Sequence, residues 1–170
     1  MTCLSILRRL ALAALATGFC AAPAFAQDAA TPGGPMSEGA APNSAAGATP
    51  IAGEGVYKAF HEKAGIQRII DDFIGRVTTD PRIKARFEDA NLPRLNLLLV
   101  QQICYLTGGP CEYTGRDMKS AHASMGLHND DFNALAEDLQ KSMDREHVDF
   151  NAQNQLLAKL APMQRVIVTK

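Results

Sequence analysis

Apolar residues recur along the later two-thirds of the chain at spacings of three and four. Ile66, Ile69, Ile70, Phe73 and Val77 fall on one side of a helix, with Arg68, Asp71, Asp72 and Arg76 on the other. Thr78, Thr79 and Asp80 close it, and Asp80-Pro81 starts a short helix, with a cap followed by proline in the first turn. The segment 92–107 reads differently. Leu95, Leu97, Leu98, Leu99, Val100, Ile103 and Leu106 leave almost no polar face. A helix of that kind is buried on several sides, or lies against something apolar that is not protein. Gly108-Gly109-Pro110 stops it. A polar loop follows over 112–116, then a short helical stretch over 117–124 broken by Gly126. Asn129 is the predicted cap of a helix with Phe132, Leu135, Leu139 and Met143 on one face. The last helix starts near Asn151 and carries Leu156, Leu157, Leu160, Met163 and Val166, with Pro162 inside it as a bend. No stretch alternates as a strand does. The pattern predicts an all-α domain over 56–170, with four substantial helices and several short ones.

The first 55 residues follow other rules. Arg8 and Arg9 precede an apolar run over 10–19, and Ala24-Phe25-Ala26 precedes Gln27. A charged start, a short apolar middle and an A-x-A exit make 1–26 a secretory signal peptide, too short and too near the start for a membrane span. The expected destination is the periplasm or the outside of the cell. Residues 27–55 are almost entirely Ala, Gly, Pro, Ser and Thr, a composition that predicts a disordered tether.

Composition narrows the function. With 17 Lys and Arg against 18 Asp and Glu in 170 residues, the chain has no basic footprint for nucleic acid. Loss of Arg8 and Arg9 with the leader leaves about −3, and no membrane span remains. Cys3 and Cys20 leave as well. Cys104 and Cys111 stay, either as a bridge in an oxidising compartment or as two separate thiols. A bridge closing so short a loop contributes about 2.5 kcal/mol in the chain-entropy model.

Candidate chemistry is sparse. There is no glycine-rich phosphate loop, no metal-spaced Cys/His set and no nucleophile beside a base. His61 and His147 sit among charged neighbours as surface groups, and His128 lies just before a helix cap. His122 shares a helical face with Met118, one turn earlier. From the residues alone it is either a core or boundary histidine or a metal ligand. The over-apolar segment 92–107 and the absence of Trp both leave room for a flat cofactor to supply core volume, and a haem held by one histidine answers both.

Asp71-Asp72-Phe73, Arg76-Val77, Phe87, Gly108-Gly109-Pro110, Tyr113-Thr114-Gly115, Met118-Lys119, His122, Met125-Gly126-Leu127, Asp131-Phe132 and Leu160-Ala161-Pro162 occur in an order that resembles the group I truncated haemoglobins. The likeness runs from about Tyr57 to Val166. It implies a two-over-two helical sandwich around one haem b, with His122 as proximal iron ligand. It implies Phe87 against the haem face, Tyr113 and Met118 as proximal-side contacts, and Phe132, Leu157 and Leu160 in the pocket wall. Arg94 or Lys119 is either a propionate partner or a solvated charge.

Departures from the family pattern bear on function. The resemblance implies Tyr at the position of Ile74 and often Gln at that of Leu99, while Leu95 is apolar too. Ile74, Leu95 and Leu99 thus form a distal pocket without a donor for bound O₂. Gln102, one turn beyond Leu99, faces either the pocket edge or water. A Gly-Gly of the family is replaced by His61-Glu62, which puts the approach to the second helix in question. The expected function is reversible binding of a diatomic gas, O₂, NO or CO, with tight O₂ storage disfavoured. Two alternatives remain open: a nitric oxide dioxygenase or weak peroxidase working with a reductase, and a haem-free helical interaction protein.

Overall fold

The computed structural model describes residues 43–170. The expected leader at 1–26 and the first part of the expected tether lie outside them. Seven α-helices and three short 3₁₀ turns make up the fold, with no strand among the described residues. The helices are α1 (Gly55–Ala59), α2 (Glu62–Val77), α3 (Leu92–Leu106), α4 (Met118–His122), α5 (Asn129–Arg145), α6 (Phe150–Leu160) and α7 (Gln164–Ile167).

Helix α2 is the hub. It packs against both α3 and α5, while α3 also meets α6 and α4 meets α7. Its buried face is the expected one: Ile66, Ile69, Ile70, Phe73 and Val77 are all 3% exposed or less. Burial of each such side chain is worth roughly 1.5–3 kcal/mol before chain entropy is subtracted. Ion pairs fix the outer face of the α2–α5 contact. Asp72 accepts from Arg76 of its own helix and from Arg145 of α5, and Glu146 accepts from Arg68 and from His61. Further along, Arg82 bridges Asp80 to Glu137 of α5 and, by its side chain and then its backbone N–H, holds the Asp80 carboxyl at about 2.

Helix boundaries follow local chemistry. Asn91 caps α3 by accepting from the Arg94 N–H, and Asp117 and Asp149 do the same for α4 and α6. Gly108 ends α3 at φ 88°, and a Cβ there would lie 2.2 Å from the carbonyl oxygen of Gly53. Three expectations are corrected in detail. The cap of α5 is His128, whose N–H donates to Asp131 Oδ2 at 2.9 Å; Asn129 is already helical. The stretch after Asp80-Pro81 is turn and 3₁₀ (Lys84–Arg86), not α-helix. Pro162 does more than bend the last helix: α6 ends at Leu160, a 3₁₀ turn covers Ala161–Met163, and α7 begins anew.

The domain also starts earlier than composition suggests. Residues 43–55 pack on it instead of extending the tether. The Asn43 N–H donates to Tyr105 Oη at 2.8 Å, the Ile51 N–H donates to the Leu106 carbonyl at 2.9 Å, and Ala46 is fully buried. Composition counts large apolar side chains, whereas this strap is held by backbone hydrogen bonds and by small residues that allow close approach.

The chain reaches α2 through His61 and Glu62, both left-handed at φ 57° and 58°. These are the positions where the family resemblance implies glycine, so the approach geometry is kept by residues that are strained in it. Glu62→Gly should therefore stabilise the fold by about 1 kcal/mol, read as a higher urea midpoint at unchanged m-value; an equal or lower midpoint would show that the strain is offset locally.

Candidate cofactor site

A cavity of about 660 Å³ lies between α2, α3, α4, α5 and the α6–α7 corner. That is within the roughly 300–1,000 Å³ of cofactor and ligand sites. Its wall is overwhelmingly apolar. Ile70 and Phe73 come from α2, Leu95, Leu98, Leu99 and Ile103 from α3, and Phe132, Leu135 and Leu139 from α5. Phe87 enters from the segment before α3, Leu157 and Leu160 from α6. The surplus leucines of α3 are explained here: Leu95, Leu98 and Leu99 are only half-buried by protein because they face the cavity.

His122 ends the five-residue helix α4 and lines the same cavity. Its Nδ1 lies 2.7 Å from the carbonyl oxygen of Met118. A carbonyl cannot donate, so Nδ1 carries a proton, and in the neutral ring it is Nε2 that holds the lone pair. A backbone carbonyl fixing the tautomer from behind is how metal-binding histidines are usually oriented. Tyr113 closes the neighbouring wall, its hydroxyl donating to the Arg116 carbonyl at 3.0 Å, and burial pushes its phenol up from the ordinary value.

Of the expected site residues, Phe87, Arg94, Leu95, Leu99, Gln102, Tyr113, Met118, His122, Phe132, Leu157 and Leu160 all line this one cavity. Ile74 does not. It is half-buried against the core on another part of α2, because the residues three apart at 70 and 73 take the cavity-facing direction. Gln102 does not point to water. It is 7% exposed, and its Nε2 donates to the Ala46 carbonyl at 2.9 Å and to Met118 Sδ at 3.4 Å. Both amide hydrogens are thereby committed on the α4 side. Lys119 is exposed and lies off the cavity, so of that pair Arg94 stands at the rim. Cys104 and Cys111 are joined, with their Cα atoms 5.7 Å apart. The bridge ties the end of α3 to the loop that leads to α4.

Among the cavity residues that sequence reasoning missed are Leu98, Arg86 and Arg116. The leucine run contained a signal for the first; the two arginines had none beyond their charge. Arg86 is already paired, with Asp131 at 3.0 Å and the Met125 carbonyl at 3.2 Å. Arg94 and Arg116 have no side-chain partner among the described residues and leave a cationic rim. An apolar slot, one histidine with a free Nε2 and a cationic edge fit a flat prosthetic group with acidic substituents, as a haem is.

Fold and site together define a two-over-two globin. The sequence profile of the bacterial-like globin family matches residues 55–169, and the chain belongs to that family. It is 25% identical over 114 residues to a group 1 truncated hemoglobin of Mycolicibacterium paratuberculosis, covering 67% of this chain and 84% of that one. A group 1 truncated hemoglobin of Synechocystis sp. is 32% identical over 88 residues, 49% of this chain and 71% of the other. Among solved structures, the truncated hemoglobin of Tetrahymena pyriformis in its Fe(III) form superposes with a TM-score of 0.65 at 23% identity, covering 68% of this chain and 98% of that one. The 2/2 hemoglobin of Synechococcus sp., with covalently attached heme, gives 0.63 at 20% identity with the same coverage.

Asp131 joins the α5 cap to the rim, and its acidity can be read out. Burial pushes its carboxyl up, but the His128 N–H and the Arg86 guanidinium outweigh that and hold it below the usual carboxylate range. The stabilisation this brings is complete above the unfolded value of about 3.9 and is lost as pH falls through the lower folded value. In urea unfolding between pH 6 and 3, Asp131→Asn should reduce stability at pH 6 and show a shallower decline below about pH 4; an unchanged acid limb would mean that the pair contributes nothing.

Proposed function

We propose that this chain is an exported haem-binding globin that reversibly binds a diatomic gas at iron held by His122. The observation that carries the reading is the His122 imidazole, fixed through Nδ1 by the Met118 carbonyl, on the wall of an apolar cavity of haem-pocket size. Haem b, if bound there, would supply an iron able to bind a small gas. The chain's own residues do the rest. His122 offers Nε2 to the metal, Phe87, Phe132, Leu157 and Leu160 exclude water from the slot, and Arg94 with Arg116 draws the acidic edge to the rim.

Gas preference follows from what the wall lacks. Along α2 and α3 the lining residues are Ile70, Phe73, Leu95, Leu98, Leu99 and Ile103, with Arg94 at the rim and Gln102 committed elsewhere. Bound O₂ draws negative charge and needs a donor to stay; NO and CO need one less. The same wall offers no polar group to assist O–O cleavage, which favours binding over peroxidase chemistry. Export to the periplasm or beyond is supported by the pattern of 1–26 and by the Cys104–Cys111 bridge, which such compartments sustain.

Ferric, ferrous, CO and O₂ spectra of the full chain supplied with haem, beside His122→Ala, test this. The Soret band should depend on His122, CO and NO should bind, and O₂ should dissociate fast. Haem that stays unbound in the wild-type protein would overturn the proposal in favour of a helical interaction module. A long-lived O₂ complex would overturn the donor-free wall while leaving the haem site intact.

A further inference from the structure

Helix α4 has five residues, and its one substantial helical contact is with α7. So short a helix has no stability of its own. Its first residue, Met118, is also the one whose carbonyl orients His122. Met118 is gripped from two directions. Gln102 of α3 donates to its Sδ, and on the strap at 43–53 Gly47 lies so close that a Cβ there would crowd Met163 and Met118. Gly47 sits at φ 91°, where a Cβ would come within 2.7 Å of Met163 Cε and 3.0 Å of Met118 Cγ. The two grips meet, because the Ala46 carbonyl next to Gly47 accepts from Gln102 Nε2.

We propose that Gln102, locked by the Ala46 carbonyl, is a positioning residue for His122, and that the strap at 43–53 is thereby part of the cofactor site. The path is continuous: Ala46 O to Gln102 Nε2, Gln102 Nε2 to Met118 Sδ, Met118 O to His122 Nδ1. A buried amide on a leucine-rich helix is otherwise costly, and here both its hydrogens are used on this path. Gln102 acts through Met118 on the direction and tautomer of the imidazole, not on a bound gas. The inference rests on the reading of His122 as the metal-binding residue.

The test uses the full chain loaded with haem, with Gln102→Leu, Gly47→Ala, the two combined, and Leu156→Ala as a core control away from the cavity. Resonance Raman of the ferrous form reads the iron–imidazole stretch, and transfer to excess apomyoglobin reads haem loss. Gln102→Leu and Gly47→Ala should each shift or broaden the stretch and speed haem loss about tenfold, as orienting partners of metal ligands do. The double variant should fall short of the product of the two, since both act on Met118. Leu156→Ala should lower the melting temperature and leave the stretch in place. If Gln102→Leu does not fold, Gly47→Ala carries the same comparison. A melting temperature lowered in either variant with the stretch and haem loss of the wild type would overturn the proposal. A stretch that survives His122→Ala would instead overturn the reading of the site beneath it.

Discussion

The group on which this site depends is borne by a helix too short to hold itself. One turn of helix forms few internal hydrogen bonds, so the place of His122 is decided by what surrounds Met118 to His122. Asp117 caps the start, α7 packs beneath, and the loop before it is tied to α3 through the Cys104–Cys111 bridge. The Met118 carbonyl then turns a half-buried imidazole so that one nitrogen is a fixed donor and the other a free lone pair. The α7 packing and the disulfide-tied loop join α4 to other parts of the chain, while the cap and the Met118 carbonyl set its local geometry. The fold converts long helices, which are stable, into the address of a short one, which is not.

Helix α3 shows how the same residues serve fold and site. Its second half, from Val100 to Leu106, is buried mainly by protein, whereas Leu95, Leu98 and Leu99 in the first half are covered only in part. A helix apolar almost all round is tolerable where one side meets core and another a cofactor-sized slot. The helix is capped by Asn91 and ended at Gly108, so that its two kinds of surface fall in fixed places.

The helices could be read from the chain because a period near 3.6 is a local property, and the buried face of α2 is the one that its isoleucines predict. The site was legible only in part. His122 stood out through the order of Tyr113-Thr114-Gly115, Met118 and His122, not through periodicity, which leaves a core histidine equally open. Ile74 was misplaced because it was assigned by its position in the family resemblance, whereas the periodicity that turns Ile70 and Phe73 to the cavity leaves it one helical step away. Gln102 was undecided because its acceptor, Ala46, lies 56 positions away in a segment whose composition suggests no structure at all. Arg116 carried no signal, since a charge in a polar loop is unremarkable until the rim it faces is known.

Polarity around the cavity is sorted by side. Arg94 and Arg116 stand at the rim, Arg86 is neutralised by Asp131, and Gln102 spends its donors on Ala46 and Met118. What remains toward α2 and α3 is hydrocarbon. In a low-dielectric setting a donor aimed at a ligand is worth far more than in water, and its absence discriminates as strongly as its presence. A gas that acquires charge when bound loses most by such a wall, and one that stays nearly neutral loses least. On the function proposed here, Leu95 and Leu99 on the cavity wall, together with the commitment of the buried Gln102 amide to Ala46 and Met118, favour a ligand that stays nearly neutral over held O₂.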